Sequence, residues 1–249
     1  MRLLTKAWYQ TMQDSGLGVC LEEDQRAAEF SEELFEELWA ETLADWLKMR
    51  EDVCSILEET FDEAEERRLF EENYRRELEG YRTRTPAKIL QKVADLRVLA
   101  LGICTGEVWK ELEEYRAWCE KWTEKTMEEA WNLQKSQGLE KAFTGEHSLH
   151  DSFVLALRRE GEDLLIEFER DEDVTWPEIK AVRFQNAEIL KQEQAVENAW
   201  WLYDEVWSRE AGGYEVHALL WKENAVFELT VGCRETELVW TIPPKEVKV

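Results

Sequence analysis

The sequence predicts an α+β protein, with an N-terminal helical bundle at residues 1–145 and a C-terminal antiparallel β-domain at residues 146–249. Before Glu146, apolar residues recur every three or four positions, which is the period of an amphipathic helix. From Asp151 onward the period becomes two, which is typical of strands with one buried face. Hydrophobic residues make up 44% of the 249 residues and include 13 Trp, enough for a packed core. We expect the second part to be a curled sheet or a small sandwich.

The first half of the helical part predicts three helices. Thr5 is a suitable N-cap for a helix that runs to Gln13. The stretch from Glu22 to Glu59 carries the apolar pattern of a second helix, with acidic residues on its other side. Thr60 followed by Glu63 has the spacing of a capping box, which predicts the start of a third helix there.

Thr85-Pro86 predicts the start of a central and most buried helix with the sequence AKILQKVADLRVLALG. Asp95 and Arg97 lie inside this run, two positions apart. On a helix they would face different sides, so we do not expect them to pair. A last helix is predicted from Thr105 to Ser136, which gives four or five helices in all.

Turn residues divide the second half into antiparallel strands. Gly161 and the run Ala211–Gly213 each have the position of a hairpin turn, and Lys222–Asn224 forms another. No segment of crossover length separates the strands, so a parallel sheet is not expected. The predicted strands are 152–160, 163–171, one within 178–190, 199–209, 214–221, 225–231, and a last strand through Leu238, Trp240 and Ile242, ended by Pro243-Pro244.

The charge of the chain excludes some classes of function. There are 31 basic and 56 acidic residues, which gives a formal net charge of −25. Binding to nucleic acid or to anionic membrane surfaces requires a basic face, so we expect neither. A basic protein partner fits better. The five cysteines contain no Cys-x-x-Cys pair, which excludes a zinc ribbon or a thioredoxin-type site. Their odd number and wide spacing indicate buried thiols in a reducing compartment, and the N-terminus lacks a signal-peptide pattern, so we expect a cytoplasmic protein.

Histidines and acids near the joint of the two parts form the main candidate site. His147, His150, Asp151 and His217 could bind zinc or iron, with Glu215 or Glu205 completing the ligand set. In the alternative interpretation Asp151 caps a turn, His150 contacts a backbone carbonyl and His217 is an ordinary sheet residue.

Other catalytic arrangements lack their residues. Because residues 1–146 contain no histidine, the Glu-x-x-His pairs of di-metal bundles are excluded. The sequence has no nucleophile elbow and no glycine-rich phosphate or dinucleotide motif, so we expect no cofactor.

The tryptophans are of two kinds. Those at helical spacing are predicted to be core residues; they are Trp39, Trp46, Trp109, Trp118 and Trp122. Trp200 and Trp201 are adjacent on a predicted strand and therefore face opposite sides. At least one of them must leave the sheet core, where it packs against the helical part or forms an exposed binding patch.

Three segments carry a resemblance to a known family: MRLLTKAWY at the start, VADLRVLALG in the centre, and LHDS with GYEVHALL in the second half. They resemble a family of uncharacterised proteins from spore-forming Gram-positive bacteria, defined as a domain of unknown function. The resemblance implies an intracellular bacterial protein and brings no activity. The LHDS segment and its strand are also similar to β-domains of small bacterial immunity-type proteins.

These observations lead to two hypotheses of function. The first is a non-enzymatic, acidic cytoplasmic protein that binds a basic partner in an immunity-like or regulatory role. Its candidate binding residues are His150, Asp151, Glu215, His217, Trp200 and Trp201. The alternative is a metal-dependent hydrolase that uses the His and Asp cluster at the domain joint.

Overall fold

The computed structural model describes residues 1–139, 143, 148–170 and 177–242. It confirms the α+β class, because helices fill the N-terminal half and an antiparallel eight-stranded sheet fills the C-terminal half. Contacts group the chain into two compact units. The helical unit is Thr11–Lys121, and the sheet unit combines Met1–Gln10 with Trp122–Val249. The predicted boundary between residues 145 and 146 lies outside the described residues.

The helical half alternates long helices with short elements. Thr5 caps the first helix as predicted, its hydroxyl accepting the Trp8 N–H at 3.2 Å, and the last helix begins beside Thr105 as predicted. The elements are α1 (Lys6–Asp14), β1 (Glu22–Glu23), a 3-10 turn (Gln25–Ala28), α2 (Glu32–Leu57), α3 (Glu63–Arg84), α4 (Ala87–Leu90), α5 (Leu96–Ala100), β2 (Ile103–Cys104) and α6 (Gly106–Ser136).

Two predicted helix starts are wrong by several residues. Helix α2 begins at Glu32 and not at Glu22, because the Ser31 hydroxyl accepts the Leu34 N–H and caps it there. Residues 22–23 instead form a short parallel ladder with β2. Helix α3 is capped by Asp62, whose carboxylate accepts two backbone N–H groups, and not by Thr60.

The predicted central helix after Pro86 is also wrong, since it is divided into the short helices α4 and α5. Asp95 separates them as the N-cap of α5 and accepts the Arg97 backbone N–H at 2.9 Å. The Arg97 guanidinium also contacts Asp95 at 2.8 Å, so the two residues do pair. Helical spacing did not apply because the Asp95 backbone is extended. The segment is nevertheless central, as Ile89 and Leu99 are buried in the core of the helical unit.

The exposure of the tryptophans differs partly from the prediction. Trp118 and Trp122 are exposed, so their assignment to the core is wrong. The buried side of α6 passes through Cys119 instead, and Trp118 stacks on Tyr115 with ring centroids 6.1 Å apart. Trp39, Trp46 and Trp109 are half-buried and lie among apolar residues.

The sheet has the strand order β10-β5-β4-β3-β7-β8-β9-β6, and its neighbouring strands are antiparallel. Left-handed backbone at Gly161, Gly212 and Gly213, and at Glu223 and Asn224, forms the predicted hairpin turns. The strands are β3 (Ser152–Glu160), β4 (Asp163–Phe168), β5 (Ile179–Gln185), β6 (Glu188–Gln192), β7 (Trp200–Ser208), β8 (Tyr214–Lys222), β9 (Ala225–Cys233) and β10 (Glu235–Trp240).

The single strand predicted within residues 178–190 is two strands. Left-handed backbone at Asn186 ends β5, and β6 begins two residues later. Strand β5 pairs with β4 and β10, whereas β6 pairs with β9 at the other end of the sheet order. Asp171 and Pro243-Pro244, which belong to predicted strand ends, lie outside the described residues.

One side of the sheet builds the core of the sheet unit. Alternate strand residues such as Ile166, Val182 and Leu220 are completely buried there, as period-two burial requires. Among the helices within the described ranges, none combines the length and apolar character that crossing a membrane requires.

Candidate functional site

The Glu205 carboxylate lies at the middle of β7 and is completely buried. It accepts the backbone N–H groups of Arg2 and Leu3, both at 2.8 Å, and that of Leu4. The Trp207 indole N–H donates a further bond at 3.0 Å. A buried carboxylate is stable only when such donors replace its water. Glu205 therefore fixes the N-terminal segment on the sheet and is not free to bind a metal.

Glu215 and His217 share one side of β8, as strand alternation requires. His217 Nε2 donates to Glu215 at 3.1 Å, and the Arg2 guanidinium donates to the same carboxylate at 3.2 Å. Burial lowers the pKa of His217, although its bond to Glu215 opposes this. Burial would raise the pKa of Glu215, but the bonds from His217 and Arg2 outweigh it and lower that pKa. The Glu215 carboxylate is thus held by two donors, His217 and Arg2.

His150 and Asp151 lie where the chain enters β3. His150 Nδ1 is hydrogen-bonded to the backbone carbonyl of Leu202, which places the proton on Nδ1. Its Nε2 lies 3.5 Å from the Asp151 carboxylate, and its ring lies beside Tyr203 with centroids 4.8 Å apart. Asp151 has a left-handed backbone and is exposed.

These two residues line a polar cleft of about 450 Å³. Its other lining side chains include Ser148, Ser152, Arg170, Glu178 and Trp240. Among the described residues, no group of three or more His, Cys, Asp or Glu side chains is arranged to hold a metal ion. The candidate ligand His147 lies outside those residues.

Trp200 and Trp201 face opposite sides of β7, as their adjacency requires. Trp201 is 1% exposed and lies in the sheet core, where its indole N–H donates to Asp204 at 3.0 Å. Trp200 is 40% exposed and packs edge-on against Phe153. Burial raises the pKa of Asp204 to about 6.

A further candidate surface, not predicted from the sequence, lies on helix α2. Glu41, Asp45, Met49, Asp52 and Ile56 are separated by steps of four, four, three and four residues, so they lie on one side of the helix. All five are exposed, Met49 to 47% and Ile56 to 79%. The three carboxylates form no ion pair with any described residue. This set is called the α2 face below.

Helix α3 differs from α2 in how its carboxylates are used. Five of its acids each pair with an arginine three or four positions away: Glu63 with Arg67, Glu65 and Glu72 with Arg68, Glu71 with Arg75, and Glu79 with Arg82. Near the α2 face, Lys48 has suitable spacing to Asp45 and Asp52 but pairs with neither within the described chain. The scarcity of Lys and Arg along α2 is the sequence signal that could have revealed the α2 face.

Comparison with known proteins identifies a family but no activity. A family model described as "Protein of unknown function (DUF4085)" matches residues 4–231, which include most of both units. No curated protein and no solved structure matches the chain.

Proposed function

The chain belongs to the DUF4085 family, and we propose that it is a non-enzymatic acidic protein that binds a basic protein partner. The resemblance to proteins of spore-forming Gram-positive bacteria supports a bacterial cytoplasmic protein. The similarity of the LHDS segment to immunity-type β-domains supports a toxin-neutralising or regulatory role.

The observation that carries this proposal is the α2 face. Met49 and Ile56 are large apolar side chains that remain exposed on a helix whose other side is packed. Glu41, Asp45 and Asp52 lie beside them and have no cation partner in the described chain. Apolar anchors surrounded by charged side chains are the usual anatomy of a protein interface. The flexible Met49 side chain can adapt to different partner surfaces.

The charge of the surroundings defines the chemistry of the partner. Helices α2 and α3 with their connection, residues 32–84, hold 18 acidic and eight basic residues. A complementary surface would present Lys or Arg to the three carboxylates and an apolar strip to Met49 and Ile56. A basic amphipathic helix satisfies both requirements. The field of the acidic helices would also accelerate association at low salt.

The metal-dependent hydrolase has no comparable support. His150 and His217 are engaged with the Leu202 carbonyl and with Glu215, respectively. Glu205, which could have completed a ligand set, is occupied by backbone N–H groups.

The test is capture of partners from cell lysate with the tagged full-length chain and two variants. The α2-face variant carries Glu41→Gln, Asp45→Asn and Asp52→Asn. The matched control carries Glu113→Gln, Glu124→Gln and Glu128→Gln, which remove the same charge from exposed carboxylates of α6 that form no ion pair in the described chain. Each protein is used at low and at raised salt, and captured proteins are identified by mass spectrometry.

We expect the wild type and the α6 control to retain one stoichiometric basic partner at low salt, and the α2-face variant to lose it. Raised salt should release the partner, because screening weakens exposed charge pairs. Equal capture by both variants would contradict the proposal, as would the lack of any basic partner.

A further inference from the structure

The outer side of strands β3, β4, β5 and β10 carries a cavity of about 770 Å³ within the sheet unit. Although acids far outnumber bases in the chain, the cavity is lined by four cations and one carboxylate, Glu167. The cations are Arg158, Arg170, Lys180 and Arg183, and the apolar lining residues are Leu155, Leu165, Phe168, Ala181, Val239 and Ile242.

Strand register places an apolar floor in this cavity. Ala181 lies between Glu167 of β4 and Val239 of β10, so the three residues share one side of the sheet. In the next row of cross-strand neighbours on this side, Leu165 of β4 lies between Arg158 of β3 and Arg183 of β5. Leu155 and Ile242 are exposed apolar residues of the same cavity. The result is an apolar surface bordered by guanidinium groups.

Arg170 is a cation with incomplete partners. Its side chain is 16% exposed. It donates to the Ser152 hydroxyl at 2.8 Å and to the Glu169 carbonyl at 2.6 Å. Its Nε lies 3.5 Å from Glu178 and makes no hydrogen bond within the described chain. Burial lowers the pKa of Arg170. A partly dehydrated cation of this kind is stabilised by an anion that completes its hydrogen bonds.

The other three cations differ in their availability. Arg158 pairs with Glu167 at 2.9 Å, and Arg183 pairs with Glu160 at 2.7 Å. Lys180 is exposed and forms no ion pair with the described residues. Lys180 is therefore a cation that a ligand can engage without displacing an ion-pair partner, and Arg170 is the cation whose Nε lacks a hydrogen bond within the described chain.

We propose that this cavity binds a small amphiphilic carboxylate. The carboxylate would lie at Arg170 and Lys180, and the apolar body would cover Leu165, Ala181 and Val239. The volume lies within the ~300–1,000 Å³ typical of small-molecule sites. This site is independent of the proposed protein binding, because it uses other residues and ligand chemistry of the opposite charge.

Calorimetric titration of the full chain with decanoate, below its micelle concentration, tests the site. Acetate has the charge without the apolar body, and decanol has the apolar body without the charge. We expect decanoate to bind, decanol to bind at least about tenfold more weakly, and acetate to show no heat of binding. Lys180→Glu should lower the affinity for decanoate by about tenfold or more, and Arg170→Gln should lower it by a similar factor.

Lys48→Glu makes the same charge change in the helical unit and should leave decanoate binding unchanged. Lys180 is exposed, so Lys180→Glu keeps the test decisive even if the buried Arg170→Gln variant does not fold. Equal affinity for decanol and decanoate would overturn the proposal. So would a lack of decanoate binding, or a decanoate affinity that Lys180→Glu leaves unaltered.

Discussion

In the sheet unit, Glu205 is fully buried and accepts hydrogen bonds from three backbone N–H groups and the Trp207 indole. In the helical unit, Glu41, Asp45 and Asp52 are exposed and have no ion-pair partner among the described residues. The same functional group thus stabilises the fold in one unit and is available for binding in the other. The donors that surround a carboxylate decide its role, and those donors can be distant in sequence.

Removing the buried carboxylate is expected to have the largest effect. Glu205→Ala would leave the backbone N–H groups of Arg2, Leu3 and Leu4 without their acceptor. Each unsatisfied buried donor destabilises the folded state by about 1–3 kcal/mol, and partial rehydration reduces the total. We therefore expect the free energy of unfolding to fall by about 3–5 kcal/mol. Urea denaturation at neutral pH measures this free energy of unfolding.

Glu128→Ala is the matched control, because Glu128 is exposed on α6 and forms no ion pair in the described chain. It should change the free energy of unfolding by less than about 0.5 kcal/mol. If Glu205→Ala were as mild as this control, the carboxylate would not fix the N-terminal segment and the contrast between the units would fail.

Asp204 offers a smaller, pH-dependent test within the sheet unit. It is partly buried with one hydrogen bond, from Trp201, in the described chain. Burial raises its pKa from 3.8 to about 6. Between these values the folded state binds more protons than the unfolded state, so its contribution to stability falls as pH rises from about 4 to about 6.

Asp204→Asn cannot ionise but keeps an acceptor for Trp201. We expect it to be more stable than wild type by about 1–2 kcal/mol at pH 7.5 and to lose this advantage near pH 4. Urea denaturation at pH 4.5, 6.0 and 7.5 measures the difference. A difference that does not change with pH would show that the Asp204 carboxylate is not held in an unfavourable environment.

The α2-face variant should have the smallest effect on stability. Its three carboxylates form no ion pair with the described residues, so we expect the free energy of unfolding to change by less than about 0.5 kcal/mol per substitution. The lower charge repulsion along the helix should slightly stabilise the variant. Thermal denaturation against the α6 control provides the measurement. A loss of several kcal/mol would mean that these carboxylates support the fold and are not reserved for a partner.

The fold could be predicted wherever the signal is local. Period-two alternation and the turns at Gly161 and Gly212 gave the hairpins, and Thr105 gave the start of α6. Errors arose where a polar side chain divides an apolar run. Asp95 caps α5 in the middle of a continuous pattern, and Asn186 separates two strands that lie far apart in the sheet order. Capping competes with periodicity there, and the sequence does not show which effect dominates.

The candidate site was less predictable because it depends on distant residues. The sequence indicated Glu215 and His217 on one side of a strand, and the structure joins them by a hydrogen bond. The bonds from residues 2–4 to Glu205 span about 200 positions, and no periodic pattern indicates them. The α2 face was likewise missed, because a helical pattern does not show which acids find a cation.

Carbodiimide labelling of carboxyl groups, measured for each residue by mass spectrometry, tests the contrast between the units most directly. Glu41, Asp45 and Asp52 should be modified rapidly in the isolated protein. Glu205 should react at least about tenfold more slowly, because it becomes accessible only when the structure opens. Similar rates at Glu205 and at the α2 face would contradict the claim that Glu205 stabilises the sheet unit whereas the α2 face of the helical unit keeps its carboxylates free.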